Sequence, residues 1–196
     1  MTGGMSEGLI PVPPGHVGAV VTFLEMNAPP APAPAPESAL VMMPWEVFDA
    51  ARYRALFRRV GARWLWFSRL AMAEEELRAR AGAVHEVIGP GGESAGMIEL
   101  DFREAGLCRI RFLGLVPDYA GRGHSRWLFA ETLSRAWAPG IARVTVHTCS
   151  LDHPAALPAY LRAGFTAYAR AFEAFPDPRL SGLLPRDAAP QLPLIG

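Results

Sequence analysis

Tyr119-Ala120-Gly121-Arg122-Gly123-His124-Ser125-Arg126 is the stretch whose reading decides the fold. An apolar run, Cys108 to Val116, leads into it, Pro117-Asp118 supplies a turn, and a helical pattern of Trp127, Leu128, Phe129, Leu133, Ala136 and Trp137 leads out. A glycine-punctuated turn at the start of a helix leaves several backbone N–H groups without intrahelical partners, all pointing the same way. Such a turn attracts anions, and the first reading is a diphosphate held between a strand and a helix.

Downstream of the helical run, Pro139-Gly140 is a stop signal, and Arg143 to Cys149 alternates as a strand. Strand, helix and strand at this spacing make a crossover unit, so the strands ending at Val116 and Cys149 are expected to run parallel. A short helix from Pro154 to Arg162, closed by Gly164, and a last strand from Phe165 to Phe175 follow. Pro158 inside that helix predicts a distorted first turn. The tail, residues 176–196, has repeated Pro and no clear period.

Upstream, His85 to Ile88, a turn at Gly89-Pro90-Gly91-Gly92, and Gly96 to Phe102 read as a hairpin. Its second strand alternates Ile98, Leu100 and Phe102 against Glu99 and Asp101, and a turn near Glu104-Ala105-Gly106 returns the chain into the run before the glycine turn. Earlier still, Pro44 to Val60 carries Tyr53, Leu56, Phe57 and Val60 at helical spacing and stops at Gly61. Trp64-Leu65-Trp66-Phe67 reads as core packing under that helix, with a cleft wall as the alternative. Ala73 to Arg80 is a short charged helix whose Glu74–Glu76 run is a solvated face. His16 to Met26 is apolar on both faces and reads as a strand covered on both sides. Between it and the first helix, Asn27 to Glu37 alternates Pro with Ala, an extended connector. Residues 1–15, rich in Gly and Pro, are expected to be a flexible N-terminus, leaving one domain over 16–175.

Composition narrows the class. With 196 residues, 19 Lys and Arg against 19 Asp and Glu, the formal net charge is zero, which argues against nucleic acid or a membrane surface as partner. No signal-peptide or membrane-spanning pattern is visible, and two cysteines inside apolar segments predict free thiols and a cytoplasmic setting. The His and Cys residues are not grouped at metal-ligand spacing, so no metal is expected. A dinucleotide fingerprint requires glycine where Arg126 stands, and a Walker loop requires Lys followed by Ser or Thr, so neither reading holds.

A different pattern fits. Val116-Pro117, Tyr119, Gly121-Arg122-Gly123 and Leu128, followed by His153, Ala156, Tyr160 and Gly164-Phe165, resembles the two signatures of the GNAT (GCN5-related) N-acetyltransferase superfamily. The resemblance covers roughly residues 85–175, and residues 16–80 fit the family's first strand and two helices. It implies an α+β fold: a central, twisted, mostly antiparallel mixed sheet with flanking helices and a splayed parallel strand pair.

The resemblance also implies an activity, transfer of acetyl from acetyl-CoA directly to a primary amine of a small molecule or peptide, in a protein that can be a homodimer. Backbone groups at Leu115 and Val116 would meet the pantetheine arm of coenzyme A. Those of Arg122, Gly123, His124, Ser125 and Arg126 would hold the diphosphate, with Gly121 and Gly123 keeping Cβ atoms clear. Arg122 and Arg126 would add charge-assisted contacts. His153 stands where the family commonly has Asn and would contact the cofactor or cap a helix. Tyr160 matches the family's general acid.

The base is open. Where some relatives carry a Glu, this chain has Arg109-Ile110-Arg111, so Glu99 and Asp101 through a water relay are the nearest carboxylates, with His147 a further possibility. Ala120 and Ser125 depart from the family loop. Two other functions compatible with the residues are a non-catalytic acyl-CoA-binding module and a transferase for longer acyl groups accommodated by Trp64, Trp66 and Phe67.

Overall fold

Period-two alternation organises the middle of the chain into β3 (Ala83–Ile88), β4 (Ser94–Asp101) and β5 (Leu107–Leu115), which pair antiparallel in sequence order. In the computed structural model, which describes residues 8–31 and 36–195, they lie inside a seven-stranded mixed sheet of order β2-β3-β4-β5-β6-β1-β7. The outer members are β1 (His16–Met26), β2 (Val41–Pro44), β6 (Arg143–Cys149) and β7 (Thr166–Pro176). Four α-helices flank the sheet: α1 (Ala50–Gly61), α2 (Glu74–Arg80), α3 (Ser125–Ala136) and α4 (Ala156–Arg162). The crossover through α3 makes β5 and β6 parallel, as the spacing requires.

Helix α1 begins six residues later than the periodicity predicts. Pro44 is the last residue of β2, which is captured by the edge of β3 from Val41↔Ile88 to Pro44↔His85. The Asp49 side chain then accepts from the Arg52 N–H (2.9 Å) and starts the helix. Its apolar face is the expected one: Tyr53, Leu56, Phe57 and Val60 are all buried, each large side chain contributing about 1.5–3 kcal/mol. Leu77 alone is buried in α2, which leaves Glu74–Glu76 exposed as the charge pattern indicated.

The strand that precedes the two helices is β2, and β1 takes another place. It lies between β6 and β7, antiparallel to both, with Val21 opposite Cys149 and His16 opposite Pro176. A strand apolar on both faces needs an interior position, and β1 fills one: Val17 and Ala19 join the core under α1, Leu24 and Met26 the core under α3 and α4. Cover on both sides is incomplete, since Val20 is 48% exposed.

The segment after β7, for which the sequence pattern gave no place, folds back on the α1 side. A buried Asp177–Arg179 ion pair (2.6 Å) organises it; Arg179 also donates to the carbonyls of Ala188 (3.1 Å) and Leu192 (3.0 Å), and Leu184, Ala188 and Ala189 enter the core. Of the N-terminal stretch, residues 8–15 form no helix or strand, while 1–7, like 32–35 of the Pro/Ala connector, lie outside the described residues. No described helix is long and apolar enough to cross a membrane.

Candidate functional site

The site originates in a mismatch of strand registers. β5 and β6 are paired only from Leu107↔Arg143 to Ile110↔Val146, yet each continues to pair with its other neighbour, β5 with β4 as far as Leu115 and β6 with β1 as far as Cys149. The two strands therefore part after Ile110 and Val146. A β-bulge lies at the fork: Leu100 faces Ile110 but Glu99 faces Phe112, so Arg111 is the extra residue on β5. Bulges bend a strand and sharpen its twist, and this one turns β5 away from β6.

The opening exposes main chain. Val116 donates its N–H to Ala95 (2.9 Å), so by strand alternation the polar groups of Leu115 and Leu113 face away from β4, into the gap. The two residues expected to meet a pantetheine arm thus differ. Leu115 lines the opening, whereas Val116 also accepts from the N–H groups of Tyr119 (2.9 Å) and Ala120 (3.1 Å), is 2% exposed and lies off the cavity wall.

At one end of the gap, Gly121 and Gly123 adopt φ of +75° and +85°, a left-handed backbone that disfavours side chains. A Cβ on either would meet no protein atom within 4 Å, so the turn stands open on its outer side. His124 and Ser125 follow at the start of α3, whose first free N–H groups lie there, and the His124 carbonyl takes the first helical bond from Leu128 (2.9 Å). Arg122 and Arg126 flank the turn, exposed and without an ion pair among the described residues.

Between fork and turn lies a cavity of about 370 Å³. Its α3/α4 wall includes Leu128, Phe129, Ala156 and Tyr160. Tyr160 is held edge-on by Phe129 (5.1 Å between centroids) and Phe165 (5.7 Å), and its hydroxyl makes no hydrogen bond among the described residues. Burial, with Asp152 adding to it, pushes its pKa well above the ordinary phenol value. Pro158 falls in the first turn of α4, where its missing N–H would have no intrahelical partner. His153 precedes α4 exposed, its Nδ1 accepting from the Ala155 N–H (3.0 Å) and its ring edge-on to Trp64 at 5.3 Å.

The opposite wall, on the α1 side, carries Trp64, Trp66, Arg111, Phe112, His147 and Asp152. Trp64 and Trp66 are half-buried and line the cavity, so the aromatic run divides: Leu65 enters the core, Phe67 packs on Phe175 (5.0 Å), and Trp66 serves both readings, packing on Phe57 (5.5 Å) and the α1-side core while walling the cleft beside Trp64. Gly61 makes this possible, since a Cβ there would lie 2.4 Å from Trp66. The Trp66 indole N–H donates to Asp152 Oδ1 (3.2 Å), while Asp152 Oδ2 accepts from the Thr148 hydroxyl (2.7 Å) and the Cys149 N–H (2.9 Å).

His147 is the first residue of β6 beyond the fork. Although its ring faces the open cavity, the crowding of neighbouring atoms lowers its pKa below the ordinary imidazole value; the Arg111 guanidinium pushes the same way, and Asp152 opposes.

Glu99 and Asp101, the adjacent-strand carboxylates expected to act through a water relay, lie outside this cavity. Glu99, 0% exposed, is hydrogen-bonded by Tyr53, ion-paired with Arg69 and approached by the Gly82 N–H (3.2 Å), a set whose disruption would cost about 3–5 kcal/mol. Asp101, 4% exposed, is paired with Arg103, whose hydrogen bonds hold its carboxyl down at about 2. Asp101 reaches the site only through Arg111 Nε, at 3.4 Å. No group of three or more His, Cys, Asp or Glu side chains placed to hold a metal occurs among the described residues.

Comparison with known proteins agrees with this architecture. Residues 44–165 match the model of the acetyltransferase (GNAT) family, and the chain belongs to that family, which makes it an acyltransferase. Among solved structures it resembles a GCN5-related N-acetyltransferase from Sphaerobacter thermophilus, at 18% identity and TM-score 0.56, over 84% of this chain and 52% of that one. A GNAT-family acetyltransferase described as putative, from Novosphingobium aromaticivorans, aligns at 20% identity and TM-score 0.52, over 84% and 68%. The spermidine N-acetyltransferase of Vibrio cholerae, solved with CoA and spermine, aligns at 18% and 0.54, over 68% and 84%. At such identities the likeness is one of fold, and the chain spans about half the length of the Sphaerobacter protein. No curated protein matches the sequence.

Proposed function

We propose that the protein transfers an acetyl group from acetyl-CoA directly to a primary amine. One observation carries the reading: the parting of β5 and β6 beyond Ile110 and Val146 opens onto an unobstructed glycine turn at a helix start, with the Tyr160 hydroxyl in the same cavity. Acetyl-CoA, when bound, supplies a thioester whose C–S bond is exchanged for a C–N bond to the amine, giving an amide and a free thiol.

The residues present fit that molecule. Backbone N–H groups from Arg122 to Arg126 and the α3 dipole face a diphosphate, with the two free guanidinium groups at its sides. The outward polar groups of Leu113 and Leu115 meet the amides of the pantetheine arm. Tyr160, kept protonated by its burial, gives a proton to the departing sulfur.

For the base we assign His147 in place of Glu99 and Asp101. It lies at the fork, in the cavity, and its lowered pKa keeps it neutral and able to take the amine proton near neutral pH. The net proton movement is from amine to sulfur, and His147 and Tyr160 return to their starting states through solvent.

The test is thiol release from acetyl-CoA in the presence of a panel of primary amines, alongside calorimetric titration with CoA. Amine-dependent release accompanied by CoA binding is expected. CoA binding without release on any amine would leave a non-catalytic acyl-CoA module, and faster release from butyryl-CoA would shift the reading to a longer acyl group.

A further inference from the structure

The acceptor side of the cavity carries a cation that the transfer itself does not require. Because Arg111 is the extra residue of the bulge, it and Phe112 both lie at the fork, where the strands part. Its Nε faces Asp101 at 3.4 Å, and Asp101 already has Arg103 as a closer partner. Its two terminal nitrogens have no hydrogen-bond partner among the described residues, and the side chain, 36% exposed, lines the cavity. A guanidinium ion-paired at Nε, with both terminal nitrogens free among the described residues, presents the fork that carboxylates accept.

The coenzyme offers no anion at that place. Its diphosphate belongs at the α3 turn, at the other end of the gap, and a thioester is neutral. The rest of the wall does not favour a polycation either. Asp152 is the single carboxylate among the described lining residues, and both of its oxygens already accept hydrogen bonds from Trp66, Thr148 and the Cys149 N–H. Trp64, Trp66 and Phe112 surround these groups with apolar surface.

We propose that the acceptor is an amine that also carries a carboxylate, as an amino acid does, and that Arg111 reads the carboxylate while the amine faces His147. This rests on the acetyltransferase reading and names its substrate class.

The experiment uses the full chain, acetyl-CoA and matched acceptors that differ by one carboxylate: phenylalanine with 2-phenylethylamine, lysine with cadaverine, glycine with methylamine. Spermidine is run beside them. The carboxylate-bearing member of at least one pair is expected to have the larger kcat/KM, by roughly 10- to 100-fold, the range of a charge-assisted hydrogen-bonded contact. Arg111→Gln brings that ratio to about one, and Arg111→Lys, a charge without the fork, restores part of it. Asp101 keeps Arg103 in both variants, and circular dichroism checks their fold.

Equal or better turnover of the amines lacking the carboxylate, or of spermidine, overturns the proposal. So does a loss in Arg111→Gln that falls equally on both members of a pair, which would assign Arg111 to the reacting carbonyl instead. If CoA binds but no acceptor releases thiol, the acetyltransferase reading itself fails, a result distinct from either. Titration of the CoA-saturated protein with each pair gives a second readout independent of turnover, and equal affinity within every pair refutes the assignment.

Discussion

The two walls of the cavity are built from different materials. On the α3/α4 side the binding groups are main chain: the N–H groups after Gly121 and Gly123 and the outward edge of Leu113 and Leu115. On the α1 side they are side chains, Trp64, Trp66, Arg111, His147 and Asp152, contributed by three separate segments. Backbone sites recognise what does not vary, in the proposed function a diphosphate and an amide-bearing arm, and need little from side-chain identity. Side-chain sites can be rewritten one residue at a time without disturbing the fold. In the proposed function the common reagent belongs to one wall and the choice of acceptor to the other.

Substitutions can break this division or sharpen it. The largest effect is expected at the proposed proton donor: Tyr160→Phe removes its hydroxyl and lowers kcat by about 100-fold or more in steady-state thiol release, with CoA affinity little changed by calorimetry. Next is His147→Gln. Because the folded protein holds this imidazole below its ordinary value, the neutral base is present above roughly pH 6.5 and is lost only as pH falls through the lowered value. The kcat/KM profile should therefore have an acidic limb below that point. His147→Gln should flatten the limb and reduce the plateau by about 10- to 100-fold; a limb that persists in the variant would remove His147 as the base.

On the main-chain wall, Gly121→Ala combined with Gly123→Ala forces alanine into left-handed backbone at about 1–2 kcal/mol per residue. That is expected to weaken CoA binding by at least tenfold, with matched acceptors still ranked in the wild-type order. Smallest is Trp66→Phe, which keeps the aromatic wall but removes the bond to Asp152. A rise in acceptor KM of about fivefold with CoA affinity unchanged would keep the two walls separate, and an equal change in both would join them.

The same division decides what the sequence reveals. The glycine turn, the helix start and the crossover are local, so Tyr119 to Arg126 and the Tyr160 segment could be read directly, and with them the fold family. The α1 wall depends on relations between distant segments. Arg111 lines the cavity because β4 and β5 fall out of step by one residue, a register property that neither strand shows alone. Glu99 sits on the alternating face that the pattern separates from Ile98 and Leu100. Alternation distinguishes two faces but not which one a helix will cover, and α1 with Arg69 buries this one. Trp64 and Trp66 have the composition of a core, and it is the left-handed turn at Leu65, with φ of +56°, that faces them to the cavity. β1 carries no local mark of its partners, so its position beside β6 and β7 could not be read from its own residues.

That position of β1 has a consequence for how the chain acquires its structure. Val20 donates its N–H to the hydroxyl oxygen of Ser150 (3.0 Å), 130 residues away, and its strand partner on β7, Phe172, lies further still. During synthesis β1, apolar on both faces, therefore stays without its sheet partners until β6 and β7 have followed. The β3–β4–β5 meander pairs near neighbours, whereas closing β1 between β6 and β7 carries the larger loop-closure entropy and is expected to slow folding. Until that closure, β6, which carries His147, is paired on one side only, with β5 as far as Val146.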